Sequence, residues 1–138
     1  MSIHSTEIRV YYEDTDAGGI VYYANYLKFA ERGRTELLRS AGFENQVLLG
    51  TKGLAFVVRH IEAGYHEPAR LDDVLIVKTR VADIKNASFD MEQTIYCRNR
   101  LLFSMTVKLA CVDMNKNGKP VRLPGDLKEA LTVKENEQ

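Results

Sequence analysis

The stretch YYEDTDAGGIVYYANY, residues 11–26, decides the fold, because it leads from a strand through three acids and a glycine pair into a long helix. Beyond it, apolar or small residues recur at the spacing that lines one helix face; they are Tyr26, Leu27, Ala30, Gly33, Leu37, Leu38 and Ala41. Asn25 is a suitable N-cap and Gly42 a suitable left-handed terminator. The pattern predicts a helix over about 25–41. Gly33 inside it, at a cost of roughly 1 kcal/mol relative to alanine, indicates close packing against another element, for which a sheet is one candidate.

Five segments have the composition or the alternation of strands. They cover residues 7–12, 54–65, 74–81, 88–98 and about 101–111. A tight turn at Asn99–Arg100 is expected to join the last two into a long antiparallel hairpin.

The remaining segments connect or follow these strands. Residues 43–52 are predicted to be irregular and to form a mobile flap over a site. Asn117–Gly118 indicates another turn. A short helix over 126–132 should follow, and the charged tail, about 133–138, is expected to be disordered.

This element order predicts the α+β class. A single two-faced helix and a single antiparallel sheet can bury their apolar sides only against each other. We therefore expect a curved five-stranded antiparallel sheet wrapped around one long central helix. The 138 residues suit a single domain over 1–138. Open sheet edges predict a homo-oligomer, a dimer or a tetramer.

Composition excludes several classes of function. Lysine plus arginine equals aspartate plus glutamate at 19 each, so no overall field favours nucleic acid. The two cysteines, Cys97 and Cys111, lack metal-ligand or redox spacing and are expected to be buried thiols. No segment is predicted to span a membrane, and the N-terminus lacks a secretory pattern. The sequence predicts a cytoplasmic protein without a metal or cofactor.

Asp16 is the candidate catalytic residue. It precedes Gly18 and Gly19, which permit a close backbone approach, and it lies shortly before the helix start, where backbone N–H groups carry partial positive charge. A carbonyl placed there would be polarised and open to attack by the carboxylate or by water. The alternative for Asp16 is a local Asx turn. Tyr23 could orient an acyl group, and its alternative is a packing tyrosine.

The stretch 11–29, continuing through 31–36, resembles the signature of the YbgC-type acyl-CoA thioesterases of the 4-hydroxybenzoyl-CoA thioesterase superfamily. Residues 71–75 and 118–122 extend the likeness over nearly the whole chain. The resemblance implies the hotdog fold, a dimer or tetramer, and Asp16 as nucleophile or general base. YbgC-type members often have histidine where this chain has Tyr23.

The same resemblance implies two groups of substrate-binding residues beside Gly19. Phe56, Val57 and Val58 would line the acyl pocket from the partner subunit, and Lys85, Asn86 and Ala87 would lie near the phosphates of CoA.

Acyl-CoA thioester hydrolysis is the leading functional hypothesis, with acyl-CoA as substrate. One alternative is a non-catalytic protein that binds acyl carrier protein or the Tol-Pal envelope system. Another is an acyl-carrier-protein hydrolase or a hotdog dehydratase, although the acidic motif favours hydrolysis. No G-x-S-x-G elbow, Walker loop, dinucleotide fingerprint or zinc signature supports another enzyme class.

Overall fold

The computed structural model describes residues 2–136, in which six strands form one antiparallel sheet. The strands are β1 (His4–Arg9), β2 (Leu54–Tyr65), β3 (Val74–Ile84), β4 (Ser88–Cys97), β5 (Arg100–Asp113) and β6 (Lys119–Pro120). Their order is β1-β3-β4-β5-β2, and the two-residue β6 adds to β5. The helices are α1 (Asn25–Ser40), α2 (Asn45–Lys52) and α3 (Gly125–Asn136). The predicted α+β class is confirmed.

Helix α1 lies against the concave face of the curved sheet, and its apolar stripe forms the centre of the core. Phe29, Ala30 and Leu37 are almost completely buried. The expected close approach at Gly33 is confirmed, because a Cβ there would lie 2.7 Å from Val77 Cγ1. The sheet thus closes around the helix, as the amphipathic pattern predicts.

The buried side-chain amide of Gln93 links α1 to the sheet by hydrogen bonds. Gln93, in the middle of β4, donates from Nε2 to the carbonyl of Ala30 at 2.7 Å and to Thr79 Oγ1 at 2.9 Å. Its Oε1 accepts from Arg34 Nη1 at 3.0 Å. These groups are buried, so each bond also spares a polar atom from being left unpaired away from water.

The predicted β4–β5 hairpin is confirmed, with a shift in its turn. Phe89 pairs with Leu109 and Ile95 with Phe103, which places the predicted apolar faces inward. The turn is at Arg98–Asn99 rather than Asn99–Arg100, and both of its residues have positive φ, 51° and 68°. This is the twist that a two-residue hairpin loop requires.

Two predictions for the segments that form the shorter helices are wrong. Residues 43–52 are not an irregular flap, because 45–52 form α2, which buries Leu48 and ends at Gly53 with φ of 69°. Helix α3 extends to Asn136, so the predicted disordered tail is wrong for 133–136. Residues 137–138 lie outside the described chain.

The first strand also differs from its prediction. It ends at Arg9 rather than at Tyr12, and residues 12–14 form a 3-10 turn. The reason is local, because Asp14 accepts from the backbone N–H of Tyr11 at 2.8 Å and so bends the chain away from the sheet.

Gly33→Ala should lower the free energy of unfolding by about 1–3 kcal/mol, because the added methyl group clashes with Val77 and Thr79. Helix propensity alone predicts that Gly33→Ala raises the free energy of unfolding. Gly50→Ala is the matched control, since a Cβ at Gly50 in α2 would have no neighbour within 4 Å. It should be stabilising by up to about 1 kcal/mol. Urea unfolding of both variants checks this, and equal effects would contradict the packing role of Gly33.

Candidate active site

Asp16 begins the loop of a small hairpin that precedes α1. Thr15 pairs with Val21, and the N–H of Asp16 donates to the carbonyl of Ile20 at 2.9 Å. The N–H of Gly19 donates to the carbonyl of Asp16 at 3.0 Å. Gly19 has φ of 79°, so the loop is a tight turn followed by a left-handed residue. The conformation explains the glycine at position 19.

The carboxylate of Asp16 is exposed and only partly used by the fold. Its Oδ1 accepts from the N–H of Gly18 at 2.9 Å, which is the Asx turn that the sequence left open. Within residues 2–136, Oδ2 has no hydrogen-bond partner. A Cβ at Gly18 would lie 3.3 Å from Oδ1, and one at Gly19 would meet no atom within 4 Å. The loop therefore holds Asp16 by one oxygen and presents the other to solvent.

Asp14, two residues earlier, has the opposite environment. It is 5% exposed and accepts from the N–H of Tyr11 at 2.8 Å and from Asn25 Nδ2 at 2.7 Å. The N–H of Tyr22 donates to its carbonyl at 2.9 Å. Asp14 ties the end of the first strand, the hairpin and the start of α1 together, so its role is structural.

The start of α1 differs from the sequence prediction. Asn25 is the first helical residue rather than the N-cap; the cap position is Ala24, which makes no side-chain cap bond. The N–H of Asn25 donates to the carbonyl of Tyr22 at 2.8 Å. Within the described chain, the N–H groups of Tyr23 and Ala24 have no acceptor. Two backbone donors at the positive end of the helix are available to a ligand.

An aromatic cleft of about 360 Å³ lies beside these donors. Its walls are Ile20, Val21, Tyr23, Tyr26, Tyr65, His66, Glu67 and Pro68. Tyr65 donates its hydroxyl to the carbonyl of Tyr23 at 3.0 Å, and thus fixes the peptide just before the helix. Burial raises the pKa of Tyr65 and of Tyr26, so both phenols stay protonated at neutral pH. Tyr65 had no signal in the sequence beyond its place at the end of a strand.

The structure brings only some of the predicted site residues together. Tyr23 lines the aromatic cleft and Asp16 lies on the hairpin whose Ile20 lines it, although Asp16 itself is outside the lining. Phe56 and Val58 line a different groove, between α1, α2 and β2, and Val57 is exposed on β2. Within one chain, these three residues do not share a cavity with Tyr23.

The third predicted group forms the turn between β3 and β4. The carbonyl of Asn86 accepts from the N–H of Leu123 at 2.8 Å, and that of Ala87 accepts from Cys111 at 2.9 Å. Asn86 Oδ1 also accepts from Lys128 Nζ at 3.0 Å. Hydrogen bonds within the fold therefore use the oxygens of Asn86 and Ala87. The Lys85 side chain is exposed and can bind an anion.

The described residues contain neither a candidate metal site nor a helix that could span a membrane. Among residues 2–136, no three histidine, cysteine, aspartate or glutamate side chains lie close enough together to hold a metal ion. No helix in that range has the length and apolar character needed to cross a bilayer.

Comparison with known proteins identifies the family. The family model of the thioesterase-like superfamily matches residues 10–131. The chain belongs to this superfamily. It is 49% identical over 127 residues to the acyl-CoA thioesterase YbgC of Haemophilus influenzae, which is 92% of this chain and 93% of that protein. It is 47% identical over 118 residues to the acyl-CoA thioester hydrolase YbgC of an Escherichia coli strain, covering 85% of this chain and 87% of that one.

A solved structure agrees with the sequence relatives. The probable thioesterase from Bartonella henselae superposes with a TM-score of 0.84 at 44% identity, and the match covers 89% of this chain and all (100%) of that one. The resemblance to YbgC-type thioesterases and the hotdog fold are thus confirmed.

Asp14→Asn should lower the free energy of unfolding by about 1–3 kcal/mol, because an amide nitrogen there would face the N–H of Tyr11 or Asn25 Nδ2, both donors. Asp16→Asn is the matched control, since an asparagine oxygen can still accept from Gly18. It should change stability by less than about 0.5 kcal/mol. Chemical denaturation of the two variants checks this. A larger loss for Asp16→Asn would reverse the roles given to the two acids.

Proposed function

We propose that this protein is an acyl-CoA thioesterase that hydrolyses an acyl-CoA thioester to a free acid and CoA. The observation that carries the proposal is the contrast between two acids. The hydrogen bonds of the fold use both oxygens of Asp14, whereas Oδ2 of Asp16 is free, on a hairpin that ends two residues before the unpaired backbone N–H groups of Tyr23 and Ala24. A negative side chain and two oriented donors are the groups that acyl transfer needs. The names of the relatives support the same reaction class.

The thioester carbonyl would lie at the start of α1, with its oxygen toward the N–H groups of Tyr23 and Ala24. Charge builds on that oxygen during attack, and preorganised donors stabilise it. Asp16 drives the attack in one of two ways. It adds to the carbonyl and expels CoA as a thiolate, leaving an anhydride that water opens, or it takes a proton from the attacking water. The Tyr23 ring lines the aromatic cleft, which would hold the acyl group, and Tyr65 positions the carbonyl of Tyr23.

A homo-oligomer would complete this site. Strand β2 is an edge of the sheet, bonded along one side to β5, and it exposes Val57 and Val58 by 37% and 47%. An edge strand with exposed apolar residues favours pairing with a second copy. Such pairing would bring Phe56, Val57 and Val58 to the partner's aromatic cleft, and Lys85 remains the candidate contact to the phosphates of CoA.

Asp16→Asn should reduce kcat on acyl-CoA substrates by roughly 10²–10⁴-fold, the usual contribution of a positioned base. The measurement is release of the free CoA thiol over short-chain, long-chain and aromatic acyl-CoAs. Glu129→Gln is a control, because Glu129 is exposed on α3 and does not line the aromatic cleft. It should retain full activity. Full activity in Asp16→Asn would refute the proposed mechanism.

The same assay separates the competing functions. If the wild-type protein hydrolyses none of the acyl-CoAs but hydrolyses acyl groups on acyl carrier protein, the carrier is the substrate. If it hydrolyses neither and binds acyl carrier protein tightly, the protein is a binding module and the proposal of acyl-CoA hydrolysis is wrong.

Replacing both Val57 and Val58 by lysine should reduce the number of subunits and lower kcat/KM at least roughly tenfold, since lysine on an edge strand opposes pairing. Analytical ultracentrifugation and the thiol assay measure the two effects. Ile3→Lys is the control, because Ile3 is 56% exposed next to β1, at the other edge of the sheet. It should change neither quantity. A monomeric double variant with wild-type activity would contradict a site shared between subunits.

A further inference from the structure

A second groove, which we call the Arg34 groove, lies between α1, α2 and β2 and has a volume of about 430 Å³. Its apolar wall is formed by Leu38, Leu49, Phe56, Val58 and Leu109. Its polar side includes Arg34 on α1, with Asn45 and Gln46 of α2 nearby. The volume lies within the range of small-molecule sites. The charged lining residues are Arg34, which is buried, and Glu31, which is exposed. A buried cation beside an apolar wall suits an amphiphilic anion.

Among the described residues, no carboxylate is paired with the charge of Arg34. Its side chain is 9% exposed, and Nη1 donates to Gln93 Oε1, which is a neutral acceptor, at 3.0 Å. Across residues 2–136, no carboxylate oxygen lies within 4.0 Å of its guanidinium. A guanidinium has five N–H donors, arranged as a fork that matches a carboxylate. Gln93 occupies one nitrogen and leaves the rest for a ligand.

Burial makes this arrangement unfavourable unless an anion completes it. A buried charge is usually paired, because the loss of hydration is otherwise uncompensated. Burial lowers the pKa of Arg34, and the negative charge of Glu31 partly opposes that effect. Glu31 also lines the groove, but it is exposed and makes no ion pair with Arg34. Gln93 meanwhile holds the guanidinium in place before any ligand binds.

We propose that the Arg34 groove binds a carboxylate carried on a short apolar chain, with the carboxylate on the guanidinium and the chain along Leu38, Leu49 and Leu109. Two sources have this chemistry. One is a free carboxylic acid, such as the product of thioester hydrolysis. The other is the distal carboxylate of an acyl chain still attached to its thioester, and this second source rests on the proposed function.

Direct titration with sodium hexanoate tests the binding without reference to activity. Hexanoate should shift the NMR resonance of the Arg34 Nε–H group and bind at least roughly tenfold more tightly than hexan-1-ol, because a charge-assisted hydrogen bond is stronger than a neutral one. Equal binding of the acid and the alcohol, or no binding of hexanoate up to millimolar concentration, overturns the proposal. This comparison uses the wild-type protein and does not depend on a variant that folds.

Arg34→Met should weaken hexanoate binding at least roughly tenfold. Arg32→Met is the matched control, because Arg32 lies on the same helix but is exposed and lines a different groove, beside β1. It should leave binding unchanged. If Arg34→Met does not fold, Arg34→Lys keeps the charge and loses the fork, and it should bind hexanoate with intermediate affinity. Loss of subunits in Arg34→Met, with no hexanoate binding by the wild type, would make the groove an interface and overturn the proposal.

Kinetics separate the two sources. If the acyl chain supplies the carboxylate, Arg34→Met should lower kcat/KM for adipoyl-CoA at least roughly tenfold and leave that for hexanoyl-CoA unchanged. If the free acid supplies it, hexanoate should inhibit hydrolysis by the wild type and inhibit Arg34→Met at least tenfold less. If neither effect is observed, the groove has no link to the reaction, and that part of the proposal is wrong. If the protein hydrolyses no thioester at all, the proposed function fails, while the hexanoate titration still decides whether the groove binds carboxylates.

Discussion

One buried amide, that of Gln93, fixes how the long helix lies in the sheet. Both of its amide hydrogens are used, one on the Ala30 carbonyl and one on Thr79 Oγ1, and its oxygen accepts from Arg34. Ala30 and Arg34 are one turn apart on α1, so the amide sets both the rotation of the helix and its position along the strands. Sliding α1 would leave several buried polar groups unpaired at once, which is far more costly than losing exposed contacts. Gly33 makes the contact possible, because any side chain there would hold the helix away.

A second buried polar residue organises the site in the same way. Asp14 accepts hydrogen bonds from the backbone N–H of Tyr11 and from Asn25 Nδ2, and so joins the segment after β1 to the start of α1. These hydrogen bonds fix the position of the hairpin that follows. Asp16 can then remain exposed, because the loop needs only one of its oxygens. Two acids that look equivalent in the sequence therefore differ in the fold: Asp14 is buried and stabilises it, and Asp16 is exposed with one oxygen free.

The sequence predicts correctly those elements whose hydrophobic pattern repeats over many residues. Helix α1 and the β4–β5 hairpin each repeat their pattern over ten or more residues, and both are confirmed. Helix α2 was missed because its eight residues give little more than two turns, with Leu48 as its one buried side chain. The sequence predicts Asn25 as a cap, whereas its side chain bonds to Asp14, a tertiary partner 11 residues away. Spacing alone does not report such contacts, and for the same reason it did not reveal the role of Gln93.

The chemistry proposed here needs drier surroundings than one chain supplies. Asp16 and Tyr23 are exposed, and in water a carbonyl would gain little from two backbone N–H groups, because solvent competes for the same oxygen. The apolar residues of the β2 edge, Val57 and Val58, are themselves incompletely buried and line no cavity with Tyr23 in the same chain. In the proposed oligomer, the β2 edge of one subunit covers the aromatic cleft of its partner. An apolar cover strengthens the donors on the developing oxyanion and makes a carboxylate a stronger base, since both effects grow as water leaves. Subunit pairing and catalysis would then depend on the same two valines, because they would both pair the subunits and exclude water from the site.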